Sequence, residues 1–253
     1  MIKKILVGDH EINNIKSILF DKDGTIIDLH HYWTSMLKIR ANVLLDSLNS
    51  SNNDHLFELL VSSMGMDLLR NKIKPEGPVG IKPRIVIEET ATTTINDYGF
   101  SIRLDDVKKA FKEADEISMS YLNEFIRPLP NVFSLLKTLY QEGIKLGIIT
   151  SDLSTRAALA IDLLGIREYF SLILGADSVV NPKPDPEMIE ICTREFGITT
   201  SEIIVVGDSM SDLKLAINGG THFIGVRTGL ASVPFINEAP ILVENLKGIR
   251  VIV

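Results

Sequence analysis

The sequence predicts an α/β fold: a parallel sheet with helices on both faces, interrupted by an inserted all-helical cap domain. Three observations carry that prediction. Short apolar runs alternate with amphipathic stretches through the second half of the chain, the order expected of βαβ units. Several of those runs stop abruptly in polar or acidic clusters, as strands do where a parallel sheet opens to ligand. Between the first such run and the others lies a long stretch of helical periodicity.

Taken in order, Ile15 to Phe20 reads as a buried strand that ends in Asp21-Lys22-Asp23-Gly24-Thr25. Ile2 to Val7 reads as an extra strand paired beside it, with Gly8-Asp9 beginning the turn. From Tyr32 to Phe125 the pattern is helical. Leu37, Val43, Leu44 and Leu48 recur on one face, and Leu56, Leu59 and Leu60 on another, with the polar linker Ser47–Asp54 between them. Lys74 to Gly80 is too rich in Pro and Gly to continue a helix. A third helix is expected over Arg84–Ile95, although its threonine run counts against it. A fourth is expected over Leu104–Phe125, stopping before Pro128.

After Pro130 the alternation resumes with helix Val132–Tyr140, strand Lys145–Ile149, helix Thr155–Leu164 and strand Leu172–Leu174. Helix Glu187–Phe196, strand Ile203–Val206, helix Leu213–Asn218, strand His222–Val226 and a final αβ passage complete the pattern. The architecture is a Rossmann-like core over residues 1–28 and 129–253, with a helical cap over 29–128. Hinges fall near Ile27–His31 and Arg127–Asn131.

Composition narrows the function. A length of 253 residues fits a core plus a smaller domain, at about 100–200 residues per domain. The formal net charge of −7 argues against a broad surface for nucleic acid, yet leaves room for a small phosphorylated metabolite. One cysteine, Cys192, excludes an intrachain disulfide and a cysteine zinc site; on a core helix it reads as a small apolar residue. The basic N-terminal run is broken by Gly8, Asp9 and His10 before it resembles a signal peptide. With no membrane segment, the expectation is a cytoplasmic protein.

Three strand ends concentrate the chemistry: Asp21 and Asp23, then Thr150 and Ser151, then Asp208 and Asp212. If those strands are neighbours, the carboxylates of Asp21, Asp23, Asp208 and Asp212 converge, and their repulsion calls for a cation or for bound protons. Oxygen donors of this kind favour Mg2+. The same residues have plainer readings as strand-end turns and helix caps, but capping leaves Asp212 unexplained. His30, His31, Tyr32 and Trp33 follow the first motif, where a cap helix would face the cleft. Adjacent histidines point apart on a helix and so do not share one metal; packing or surface exposure of each is set against one of the four touching substrate. Arg84 and Lys82 are candidate readers of an anionic tail, set against the plainer reading of solvated charge.

In four ordered motifs the chain resembles the haloacid dehalogenase-like superfamily, in its helical-cap phosphatase branch. The motifs are Asp21-Lys22-Asp23-Gly24-Thr25, Thr150 after Gly147-Ile148-Ile149, Lys183 within Asn181-Pro182-Lys183-Pro184, and Gly207-Asp208-Ser209-Met210-Ser211-Asp212. The resemblance implies a Mg2+-dependent phosphatase in which Asp21 is the nucleophile and Asp23 the acid and then the base. It further implies that Mg2+ meets the Asp21 carboxylate, the Asp23 backbone carbonyl and Asp208, with Asp212 orienting the ligands. Thr150, Ser151 and Lys183 would hold phosphoryl oxygens, while Gly24 lets the backbone turn beneath them and Thr25 helps to hold that turn. Mutases of this type often carry Val where Thr25 stands, which favours hydrolysis over a phosphomutase. A non-catalytic phosphate-binding regulator is a third reading, and the presence of every motif residue counts against it. Phosphoglycolate-like acids and sugar phosphates are the nearest substrate analogies.

Overall fold

A computed structural model of the chain describes residues 4–79, 82–230 and 232–252. The chain divides into two compact units, one of residues 1–28 with 126–253 and the other of Leu29–Phe125.

The first unit opens with β1 (Lys4–Val7) and β2 (His10–Asn13), joined by a two-residue turn in which Gly8 has φ +59°. Ile2 and Lys3, part of the expected first strand, lie outside the described residues. The rest of that strand does not pair beside the Ile15–Phe20 run. Gly8-Asp9 sends the chain back as a hairpin, with Val7 opposite His10. The other edge of β1 is taken antiparallel by a C-terminal strand, Ile249–Ile252.

The main sheet begins at β3 (Ser17–Phe20), every residue of which is buried. In the helical unit, α1 (Leu29–Ser47) is followed by α2 (Asp54–Ser63), whose N-terminus Asn53 caps through a bond from Leu56 N of 3.0 Å. That unit is not wholly helical. β4 (Met66–Asp67) and β5 (Lys72–Ile73) form a minimal antiparallel ladder. Gly80, within the expected breaker, lies outside the described residues.

Helix α3 (Arg84–Asp97) forms despite its threonines, and the hydroxyls of Thr90, Thr92 and Thr94 are satisfied by carbonyls four residues back, at 2.7–2.8 Å. The expected single helix over Leu104–Phe125 is two, α4 (Leu104–Ser120) and α5 (Leu122–Phe125). Ser118 Oγ bonds the Asp115 carbonyl at 2.7 Å and Tyr121 N bonds Ser118 O, which tightens and ends the turn.

Back in the first unit come α6 (Val132–Gln141), β6 (Lys145–Ile149), α7 (Ser154–Leu163), β7 (Phe170–Leu174) and α8 (Glu187–Phe196). After them follow β8 (Ile203–Gly207), α9 (Met210–Gly219), β9 (His222–Val226), α10 (Val233–Glu238), β10 (Leu242–Val243) and β11 (Ile249–Ile252). The sheet has six parallel strands in the order β10-β9-β8-β3-β6-β7, flanked by helices, as the alternation predicts. Leu19, Val205 and Phe223 pack with Met188, Cys192 and Leu213 in one core cluster. Burial there pushes the Cys192 thiol up to about 12, so it behaves as an apolar filler.

The return from the inserted unit falls between Phe125 and Ile126, earlier than the 128/129 boundary read from the prolines. The stem is closed by backbone bonds: Asp28 N to Arg127 O and Leu129 N to Ile26 O, each 2.9 Å. These bonds draw residues 126–128 into the sheet unit.

The register of β3 against β8 is fixed at its base. Lys16 N donates to Glu202 O at 2.9 Å, and the Lys16 ammonium meets Glu202 Oε1 at 2.6 Å. Glu202 also closes a capping box with Thr199, and the Lys16 and Thr199 donors together hold its carboxyl down at about 2. A carboxylate depressed from 4.5 adds stability above that value and loses it as pH falls toward 2. Glu202→Gln should therefore lower the thermal midpoint at neutral pH, with the gap to the parent closing progressively below about pH 4. Melting curves across that range test it; a gap independent of pH would assign the loss to packing instead.

Candidate active site

Because β3 lies between β8 and β6, the loops after those three strands share one end of the sheet. Pairing continues one residue past β3, where Asp21 N donates to Val206 O at 2.9 Å. This fixes the backbone of Asp21 beside the start of the Asp208 loop. Oxygens of Asp21, Asp208 and Asp212 lie within 4.8 Å of one another, and all three residues are buried.

Lys183 answers part of that charge. Its ammonium, itself almost fully buried, lies 2.8 Å from Asp21 Oδ1 and 2.6 Å from Asp212 Oδ1. The loop that presents it is braced from outside. Glu187 accepts from Val180 N at 3.0 Å and Asn181 N at 2.8 Å, while Asn218 Nδ2 donates to Pro184 O at 2.9 Å. Proline stiffness, legible in the sequence, is thus only part of the support.

Asp212 has a second duty that the sequence reading denied it. Ser209 caps α9, and Asp212 is the third helical residue of that capping box. Its Oδ2 accepts from Ser209 Oγ at 2.6 Å and from Ser209 N at 3.2 Å. Oδ1 remains for Lys183. Asp208 is held through Oδ2 by Leu230 N at 3.1 Å, a contact made across 22 residues.

The electrostatics follow from burial. Desolvation lifts the Asp21 carboxyl to about 7; Lys183 opposes the rise and Asp212 adds to it. Asp208 is raised well above the ordinary carboxylate range, by burial first and then by Asp21 and Asp212. Burial alone would lower Lys183, but its two carboxylate partners reverse this and hold it charged. One ammonium does not neutralise three buried carboxylates. The donors are all hard oxygens, so the Asp21 and Asp208 carboxylates fit a small divalent cation, while the two oxygens of Asp212 are engaged by Lys183 and Ser209.

Asp23 stands apart from this group. Of the four carboxylates expected to converge, three do. The Asp23 carboxylate is instead bound by Lys22, whose ammonium lies 2.9 Å from both of its oxygens. Burial raises the Asp23 carboxyl against that opposing charge. Lys22 also reaches Asp152 Oδ2 at 3.0 Å. Neither Lys22 nor Asp152 was singled out from sequence, since a lysine inside an acidic motif reads as solvated.

Gly24 takes φ +92°, and a Cβ there would stand 2.6 Å from the Asp208 carboxylate. Its residue type is needed for that approach as much as for the turn. Thr25 is fully buried, and its hydroxyl has no hydrogen-bond partner among the described residues, so Thr25 Oγ1 does not hold the turn as expected. The turn is closed instead by Gly24 N to Ile27 O at 2.8 Å and by Thr228 Oγ1 to Gly24 O at 2.5 Å. Thr150 is buried at the end of β6, where its hydroxyl accepts from Asp152 N at 3.1 Å; Ser151 is exposed beside it.

Residues of the helical unit have partners of their own. His30 Nδ1 accepts from Ile73 N at 3.1 Å and His31 Nε2 meets Glu124 O at 2.9 Å, so the two rings do point apart. Arg84 pairs with Glu88 at 2.7 Å and with Asp115, above the Phe111 ring. Those bonds occupy the guanidinium that sequence offered as an anion reader.

The haloacid dehalogenase-like hydrolase family model matches residues 18–226. The chain belongs to that family. It is 27% identical over 227 residues to the phosphoglycolate phosphatase of Neisseria meningitidis, covering 90% of this chain and 86% of that one. Over a shorter stretch of 98 residues it is 34% identical to the pyrophosphatase PpaX of Halalkalibacterium halodurans, covering 39% of this chain and 46% of the relative. A crystal structure of a predicted phosphoglycolate phosphatase from Haemophilus somnus 129PT superposes with a TM-score of 0.68 at 21% identity, covering 91% and 94% of the two chains. This haloacid dehalogenase-like hydrolase is a phosphatase, and the six-stranded sheet is the family's Rossmann-like core. Among the described residues, no helix is long and apolar enough to cross a membrane.

Gly229 is a further member of the site. A Cβ at this position would stand 1.7 Å from Asp208 Oδ2, nearer than any contact at Gly24 or Gly207. Gly229→Ala must therefore displace either the carboxylate or the loop carrying Leu230. A loss of about 1–3 kcal/mol in denaturant unfolding is expected, together with weaker activity. A variant equal to the parent in both would show the Asp208 carboxylate free to move aside.

Proposed function

We propose that the chain hydrolyses a small, anionic phosphate monoester through a phosphorylated Asp21, with Mg2+ held by Asp21, Asp208 and the Asp23 backbone carbonyl. The observation that carries the reading is the Asp21 carboxylate itself. It sits at the end of the central strand, buried, grouped with Asp208 and Asp212 and gripped by Lys183. The named activities of the relatives, phosphoglycolate and pyrophosphate hydrolysis, support a compact anionic substrate. When bound, Mg2+ supplies positive charge beside the transferring phosphoryl group.

In this reading an Asp21 oxygen attacks phosphorus, the phosphorus–ester oxygen bond breaks, and the Asp23 carboxyl gives its proton to the departing oxygen. Water then attacks the phosphorus of phospho-Asp21. The Asp23 carboxylate takes a proton from that water as the bond to Asp21 breaks, which restores both groups. Lys183, the Thr150 hydroxyl and the Ser151 amide bind the equatorial oxygens, where negative charge must be held during transfer. Asp212 keeps Lys183 in place through Oδ1 while its other oxygen stays in the α9 cap. The helical unit Leu29–Phe125 is proposed to act as the substrate-reading cap.

Two measurements bear on this. Asp21→Asn should keep its fold, by circular dichroism and melting temperature, while Mg2+-dependent phosphate release from a generic aryl phosphate falls to background. Substantial release by a clean sample of that variant would end the assignment.

The second uses pH. An Asp21 carboxyl raised from 3.8 to about 7 destabilises the metal-free fold progressively as pH climbs through that interval, where the unfolded chain gives up this proton before the buried group does. Mg2+ must displace a proton below that range and meets a bare carboxylate above it. The rise in melting temperature on adding Mg2+ should therefore be larger at about pH 8 than at about pH 5. Equal rises at both would place the ion elsewhere.

A further inference from the structure

The Lys22 side chain is 1% exposed, an unusual state for a lysine. Its ammonium lies 2.9 Å from Oδ1 and 2.9 Å from Oδ2 of Asp23, straddling that carboxylate, and 3.0 Å from Asp152 Oδ2 on the far side. Asp152 is itself fixed. Its Oδ1 accepts from Leu153 N at 2.8 Å, its N donates to Thr150 Oγ1 at 3.1 Å, and its carbonyl accepts from Ala176 N at 2.9 Å. The Lys22 carbonyl is held as well, accepting from Ile26 N and Ile27 N at 2.9 Å. A buried ion pair is weak evidence for stability. Here it has a geometric effect: Asp23, two residues from Asp21, is kept out of the Asp21–Asp208–Asp212 group.

We infer that Lys22 is a positioning residue for Asp23, and that Asp152 anchors it. Lys22 fixes the Asp23 carboxyl as a proton donor toward the leaving oxygen, and denies it the alternative of joining the acidic group two residues away. Through Asp152 the same ammonium ties this donor to the loop that carries Thr150 and Ser151. The inference rests on the proposed roles of Asp21 and Asp23. The step it governs is the first: the bond from Asp21 oxygen to phosphorus forms, the ester bond breaks, and the Asp23 proton leaves with the ester oxygen. An ester whose leaving group needs no proton should be indifferent to where Asp23 points.

The test is single-turnover release, with full-length protein in excess and Mg2+ present, from phenyl phosphate and from 2,4-dinitrophenyl phosphate. Lys22→Met should slow phenyl phosphate by about 100-fold, the scale of general acid catalysis, and slow the dinitrophenyl ester by less than about 5-fold. Lys22→Arg, which can still span two carboxylates, should recover part of the phenyl phosphate rate. Equal slowing of both esters, or of neither, overturns the inference. Should Lys22→Met fail to fold, Asp152→Asn is read by the same ratio, with about 10-fold selective loss expected and no selectivity counting as refutation. Asp21→Asn runs alongside: release that survives it removes the underlying reading, whereas release that vanishes leaves the Lys22 result to stand or fall alone.

Discussion

Three carboxylates, from Asp21, Asp208 and Asp212, are buried within 4.8 Å of one another, and like charges at that range repel strongly where water is scarce. Much of the local structure answers this repulsion. Lys183 is drawn in from a distant loop between two of the three. Ser209 spends its cap on Asp212, and Leu230 N donates to Asp208. Three glycines, Gly24, Gly207 and Gly229, stand where any Cβ would strike a carboxylate. A site of this kind is held by its surroundings against its own charge, and a divalent ion relieves what one lysine cannot.

The sheet makes that crowding possible. A parallel strand with parallel neighbours on both sides sends three chain exits to the same end. Asp21 leaves β3 with its backbone still bonded to β8, so its position follows from the ladder instead of from loop conformation. The base of the same strand is pinned by Lys16 and Glu202, and a slip in register there would carry Asp21 out of the group.

Much of this was legible in the sequence because the informative residues are locally improbable. A run such as Ser17–Phe20 that stops in Asp-Lys-Asp-Gly-Thr, or one that stops in Gly-Asp-Ser-Met-Ser-Asp, marks a strand end without any long-range information. What escaped was long-range or shared. Lys22 looks like a surface lysine until Asp152 is brought opposite it by the pairing of β3 with β6. Gly229 is one glycine among 17 until Asp208 is placed against it. The N-terminal strand was given the wrong partner, because it lies between its own hairpin mate β2 and the last strand of the chain. Periodicity likewise did not separate α4 from α5, where a serine hydroxyl ends the turn.

Lys183 and Asp21 touch across 162 residues of chain, and much of that span is the inserted unit Leu29–Phe125. Closing so long a loop sounds prohibitive, yet the entropy of closure rises only with the logarithm of length, about 0.6 kcal/mol per doubling. An insertion of this size can therefore be carried, exchanged or enlarged with little thermodynamic effect on the pairing it interrupts. The burden is kinetic: pairings closed across so many residues of chain form slowly. Regain of activity during refolding would thus report the last assembly of the sheet, not the first appearance of its strands.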